Sequence, residues 1–178
     1  MIAAIAALMA WLGASLVVLA DGRRGLAAGI GLATIGLFVI AWQNGGLIPA
    51  VALLAGGSVA ALLEDRASDH KWDIMPTGST PRVVLCVAVG LIALWFGAYV
   101  TTGSGASVRF TVVSVVGLMG ARVLSTKDLS VVPAAVAVLA VAIALIAPLV
   151  SNSPWPYFVG AAIAVFVMLM PVSEAHAS

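Results

Sequence analysis

Seven long apolar runs make up most of this chain, and a polar break separates each run from the next, the longest break covering residues 64–82. A helix needs about 20 mostly apolar residues to cross a membrane, because each residue advances about 1.5 Å through a core about 30 Å thick. Strands of a membrane barrel alternate in polarity, whereas these runs are continuously apolar. The sequence therefore predicts an all-α bundle of seven transmembrane helices over Ile2–Ala20, Gly25–Trp42, Leu47–Leu63, Val83–Val100, Phe110–Leu124, Val131–Val150 and Trp155–Pro171.

Composition excludes several classes of protein. Hydrophobic residues make up 63% of the chain and charged residues only 8%, whereas a soluble domain carries about 25% charged residues. A soluble enzyme, a nucleic-acid-binding protein and a disordered regulator are therefore excluded. The net charge of +1 indicates no polyanionic partner. We expect residues 1–178 to form a single helical domain whose first partner is the lipid bilayer.

The distribution of lysine and arginine predicts the orientation of the bundle. With seven spans, the first, third and fifth breaks lie on one side and, together with Arg122 near the end of the fifth run, hold seven of the eight basic residues, while the opposite side holds only Arg109. Basic loops remain in the cytoplasm, so the N-terminus is predicted to lie outside and the C-terminus inside. Arg23 and Arg24 follow the first run, which favours a retained helix over a cleaved signal peptide. The predicted location is the bacterial plasma membrane, with multiple passes.

The fifth run, residues 110–124, is the weakest of the predicted spans. Only twelve residues separate Arg109 from Arg122, which is about 18 Å of helix. This run spans the membrane only if both arginines extend outward to the two head-group layers. The alternative is a bundle of six helices, in which this stretch is re-entrant or interfacial. The basic residues then divide five to three between the two sides, so the charge pattern favours seven.

The predicted cytoplasmic loop 64–82 contains the only dense polar cluster of the sequence. Asp69, His70 and Asp73 are conceivable metal ligands or catalytic groups, but they match no known ligand spacing, and a solvated loop is the preferred interpretation. No Asp, Glu, Lys or His is predicted at mid-bilayer depth, so we predict no catalytic residue, cofactor or metal ion. Arg82, at the start of the fourth run, is a weak candidate for binding a lipid head-group.

Small residues recur at four-residue spacing on one face of the second helix. Gly25, Gly29 and Ala33 form this face. Such faces allow two helix backbones to approach closely, and they pack either inside a bundle or against another subunit. We therefore consider these three residues candidates for helix packing or for contact with a partner.

Three functions fit these observations. The first is a non-catalytic subunit of a larger membrane complex of the respiratory, hydrogenase-like or antiporter-like kind, together with other membrane protein subunits. The second is a small transporter, or a membrane substrate-binding component, for a neutral or apolar solute. The third is an enzyme that acts on lipid head-groups through the 64–82 loop. The absence of predicted ionisable groups at mid-bilayer depth favours the first.

Overall fold

This computed structural model describes residues 1–66, 80–99, 105–126, 131–146 and 153–170, and within these ranges the chain forms seven α-helices and short turns. Each predicted apolar run corresponds to one helix in these ranges, so the all-helical prediction is confirmed. The helices are α1 (Ile2–Leu19), α2 (Arg23–Gly45), α3 (Leu47–Arg66), α4 (Thr80–Tyr99), α5 (Ala106–Ser125), α6 (Val132–Ala144) and α7 (Trp155–Leu169).

Four helices, α1, α2, α3 and α5, are long and apolar enough to cross a membrane. The other described helices contain shorter apolar segments, of 10 to 17 residues. Proline lies in the first turn of α6 and of α7, where the missing N–H has no intrahelical partner to lose. The composition and these helices are those of a membrane protein.

Helix α5 differs from its prediction at both ends. It begins at Ala106, four residues before the predicted run, and its 20 residues make it a candidate span. It is one continuous helix, long and apolar enough to cross a membrane. The side chain of Arg122 does not extend outward to the head-groups, because it is only 2% exposed and lies inside the bundle. A carboxylate from another part of the chain provides the reason for this burial, as described below.

The segment between α3 and α4 is shorter at both ends than the predicted loop 64–82. Helix α3 continues through Arg66, so Glu64 and Asp65 are helical, and Glu64 is buried with 3% exposure. Helix α4 begins at Thr80 and therefore includes Arg82 in its first turn. The loop candidates Asp69, His70 and Asp73 lie outside the described residues.

Side-chain contacts show which helix ends lie together at each end of the bundle. The turn after α1, the first turn of α4 and the last turn of α5 meet where Arg82 and Arg122 contact Asp21. At the opposite end of the bundle, a Cβ added to Gly45 of α2 would lie 2.8 Å from the hydroxyl of Tyr157, in the first turn of α7. We call the first region the charged end and define it by Asp21, Arg23, Glu64, Arg82 and Arg122.

Glycine allows α1 and α2 to pack with their backbones in contact. A Cβ on Gly36 would lie 2.5 Å from the carbonyl oxygen of Ala6, and a Cβ on Gly29 would lie 2.9 Å from the backbone nitrogen of Val17. Early α1 thus packs beside late α2, and the two helices are antiparallel. This packing gains dispersion energy along the whole interface, which is the main force between helices in lipid.

Candidate functional site

The charged end is built from three segments that are far apart in the sequence. Asp21 lies in the turn between α1 and α2, Arg82 lies in the first turn of α4, and Arg122 lies in the last turn of α5. Asp21 lies between two helices, and each of the two arginines lies within one turn of a helix end. The up-and-down arrangement of the helices then brings these termini together.

One carboxylate accepts hydrogen bonds from two guanidinium groups. Arg122 donates through Nη2 to Oδ1 of Asp21 at 2.5 Å and to the carbonyl oxygen of Ala20 at 3.0 Å. Arg82 donates through Nη1 to both carboxylate oxygens of Asp21, each at 2.8 Å. Asp21 therefore joins α4 and α5 to the turn between α1 and α2.

The three members of this cluster differ in their exposure to solvent. Arg122 is almost completely buried, whereas the side chains of Asp21 and Arg82 are each about one-third exposed. Burial by itself raises the pKa of Asp21, but the hydrogen bonds from Arg122 and Arg82 outweigh it and hold the pKa below its usual value. Asp21 is therefore ionised at neutral pH and compensates the charge of Arg122.

A third ion pair joins α2 to α3 at the same end. Nη1 of Arg23 lies 3.6 Å from Oε1 of Glu64. The Glu64 side chain is buried, and its Oε1 has no hydrogen-bond partner within the described part of the chain. The three ion pairs connect α2 to α3, and α4 and α5 to the turn after α1. All of the paired groups lie at or near the ends of the described helices.

Sequence reasoning missed these pairings. Arg122 and Asp21 are 101 positions apart, and no local pattern links them. The available signal was the shortness of the fifth run: an arginine that cannot reach the head-groups needs a carboxylate inside the bundle. Asp21 is the acidic residue of the first break, and the positive-inside pattern places that break on the same side of the membrane as Arg122.

The structure places two of the three predicted packing residues, Gly29 and Ala33, against α1. Ala33 is fully buried, and the backbone of Ala33 contacts the position that a Cβ on Gly13 would occupy. Gly29 faces Val17 and the carbonyl oxygen of Gly13, and Gly25 is also buried. Among the described residues, no group of three or more His, Cys, Asp or Glu side chains could hold a metal ion.

Trp11 connects the middle of α1 to the middle of α4. Its indole N–H donates to the carbonyl oxygen of Cys86 at 3.4 Å, and a Cβ on Gly90 would lie 2.7 Å from the indole nitrogen. Gly90 is therefore the residue that leaves room for the indole ring. An indole N–H at this depth needs an acceptor, and α4 provides one.

Substitution of Gly90 by alanine is expected to displace this indole ring. The added Cβ would overlap the ring, so the hydrogen bond to Cys86 is lost and α4 moves away from α1. We expect a loss of about 1–3 kcal/mol and a change in tryptophan fluorescence. Gly120→Ala is the matched control, because a Cβ on Gly120 has nothing within 4 Å. Equal effects of the two substitutions would contradict this role for Gly90.

An apolar cavity lies at the opposite end of the bundle. It has a volume of about 620 Å³ and opens between the start of α1, the end of α4 and the start of α5. Its lining includes Ala4, Leu8, Leu94, Ser107 and Phe110. The volume lies in the usual range for small-molecule pockets, about 300–1,000 Å³.

No protein-family model, curated protein or solved structure matches this chain.

Proposed function

We propose that this protein is a non-catalytic integral membrane subunit of a larger membrane protein complex. The observation that carries the proposal is the internal pairing of charge at the charged end, where Asp21 binds Arg82 and Arg122 and where Glu64 pairs with Arg23. These groups serve to hold helices together. Proton or cation translocation ordinarily uses ionisable groups placed along the helices, and the described helices carry theirs at or near the ends.

The outer surface of the bundle supports this proposal. Large apolar side chains on α4 and α7 point away from the bundle, among them Leu91, Trp95, Phe158 and Phe166. Such surfaces pack equally well against lipid or against the helices of other subunits, because lipid tails are as apolar as leucine. The Gly29 face contributes to packing within the chain, so a partner binds elsewhere on the surface. Respiratory, hydrogenase-like and antiporter-like assemblies are the kinds of complex we propose.

The proposal includes seven spans, with the N-terminus outside and the charged end in the cytoplasm. In a Cys86→Ser background, we expect single cysteines at Asn44 and Ser153 to react with an impermeant thiol reagent added to intact cells. Cysteines at Asp65 and Ser125 are expected to react only after the membrane is opened. This result follows from the basic residues at the charged end. Labelling of the Ser125 position in intact cells would contradict the seven-span orientation.

Gentle extraction followed by native electrophoresis tests the proposed subunit role. The wild-type protein is expected to migrate at a mass well above that of its 17.9 kDa chain, together with reproducible partners that mass spectrometry identifies. The purified chain in liposomes is expected to transport no solute. A lone monomer that performs a complete transport reaction would overturn the proposal.

The cavity at the opposite end supports a second candidate function. An apolar cavity of about 620 Å³ fits a neutral or apolar solute, so the alternative is a small transporter or a membrane substrate-binding component. The substitution Ala4→Trp would fill this cavity. Loss of solute uptake in liposomes on this substitution, with the melting temperature unchanged, would favour transport over the subunit role.

A further inference from the structure

The cluster of Asp21, Arg82 and Arg122 carries one more positive charge than negative charge. Two guanidinium groups share the single carboxylate of Asp21, while Glu64 pairs separately with Arg23. Arg122 is 2% exposed, and its Nε has no hydrogen-bond partner within the described residues. Asp21 compensates the buried Arg122, so the remaining positive charge of these three residues belongs to Arg82, and a further anion beside Arg82 would balance it.

Arg82 is the arginine of this cluster that an external ligand can reach. Both hydrogen bonds from Arg82 to Asp21 use Nη1, so this carboxylate does not engage Nη2 or Nε. A guanidinium group carries five N–H donors in a planar fork that matches the oxygens of a phosphate. The Arg82 side chain is about one-third exposed, so an external ligand has access to it.

Two helix N-termini add positive potential at the same place. Arg82 lies in the first turn of α4, and α2 begins at Arg23, directly after its N-cap Gly22. The first amides of a helix and its dipole favour negative charge. The arginines therefore add to a potential that already favours an anion.

We propose that the charged end binds the phosphate group of an anion through the Arg82 guanidinium, with Arg122 as the buried charge behind it. The site lies at the ends of apolar helices, where lipid head-groups are present. A phosphodiester of an anionic phospholipid and free inorganic phosphate share this chemistry, and the experiment distinguishes between them.

The first arm of the experiment measures lipid retention. The full chain is equilibrated in detergent with equal amounts of phosphatidylglycerol and phosphatidylcholine, and bound lipid is counted by native mass spectrometry. We expect the wild type to prefer phosphatidylglycerol about tenfold, the effect of one charge-assisted interaction of about 1.5 kcal/mol. Arg82→Gln is expected to lose this preference. Arg109→Gln, which removes the same charge at the opposite end of α5, is expected to keep it.

The second arm uses inorganic phosphate without added lipid. A rise in melting temperature with phosphate for the wild type, absent for Arg82→Gln, identifies free phosphate as the source of the anion. Preference for phosphatidylglycerol without any response to phosphate identifies the lipid. Equal retention of the two lipids together with no response to phosphate overturns the proposal, as does an equal loss of preference in Arg109→Gln.

Arg82→Lys keeps the proposal testable if Arg82→Gln fails to fold. Lysine retains the positive charge beside Asp21 but lacks the planar fork. We expect a folded protein whose lipid preference or phosphate response is several-fold weaker than that of the wild type. A folded Arg82→Lys protein with unchanged binding would show that the guanidinium does not hold the phosphate, and the proposal would then be wrong.

Discussion

Replacement of Asp21 by asparagine is expected to lower the free energy of unfolding by about 3 kcal/mol. The substitution removes the carboxylate that compensates Arg122, which is only 2% exposed. Removing one partner of a buried ion pair costs about 3–5 kcal/mol. We expect the lower end of this range because Asp21 is one-third exposed and the carbonyl oxygen of Ala20 still accepts a hydrogen bond from Arg122. Reversible unfolding in detergent micelles measures the change.

Two further variants separate this ion pair from a general effect of charge. Asp65→Asn removes the same charge from an exposed position near the end of α3, and it is expected to change stability by no more than about 0.5 kcal/mol. Adding Arg122→Gln to Asp21→Asn is expected to restore part of the lost stability, because no uncompensated charge then remains in that position. Equal losses for Asp21→Asn and Asp65→Asn would show that the buried pair contributes nothing.

The pH dependence of stability provides an independent test of the same ion pair. Desolvation raises the pKa of Asp21, but the hydrogen bonds from Arg122 and then Arg82 lower it further than burial raises it, so the folded-state pKa is below 3.8. A lowered pKa means that the contribution is complete above the unfolded-state value and is lost as the pH falls through the folded-state value. The wild type is therefore expected to lose its advantage over Asp21→Asn only below about pH 3.8. If the wild type were no more stable than Asp21→Asn already at pH 6, the lowered pKa of Asp21 would be contradicted.

Replacement of Gly29 by alanine is expected to destabilise the bundle, although alanine is the better helix former. Its Cβ would lie 2.9 Å from the backbone nitrogen of Val17 and 3.0 Å from the carbonyl oxygen of Gly13. Both are backbone atoms, so the helices themselves must separate. We expect a net loss of about 1–3 kcal/mol for alanine. Gly29→Leu is expected to remove the folded protein from the membrane.

Gly31→Ala is the matched control on the same helix. A Cβ on Gly31 meets nothing within 4 Å, so the better helix propensity of alanine is expected to raise stability by up to about 1 kcal/mol. Gly29→Ala is therefore expected to lower stability and Gly31→Ala to raise it. This difference in sign separates the effect of close packing from the effect of helix propensity. If Gly29→Leu instead yields intact protein at lower mass on a native gel, this face binds another subunit and the packing on α1 is wrong.

The sequence by itself determined that the chain is helical and where its helices lie. Backbone groups in lipid must be paired within each segment, so a continuous apolar run of sufficient length has the helix as its simplest solution. The ends were less well defined, because the polar residues that flank an apolar run can themselves be helical. Helix α3 continues to Arg66 past the paired Glu64, and α5 begins at Ala106.

The alternation of the breaks also predicted that Asp21, Arg82 and Arg122 share one end of the bundle. It did not predict that one carboxylate binds both arginines. Charge counting assigns residues to a side of the membrane, but pairing depends on which helices are neighbours. The structure places α5 beside α1. Arg122, which was expected to reach the head-groups, is therefore buried and paired with Asp21.

Only the tertiary structure decided which surface each helix buries. In lipid, the outward face of a helix is as apolar as its packed face, so hydrophobicity does not distinguish them. The spacing of Gly25, Gly29 and Ala33 predicted close approach but left open whether the neighbour is α1 or another subunit. Steric fit decides this, because the backbones of Val17 and Gly13 occupy the space that a side chain at Gly29 would need.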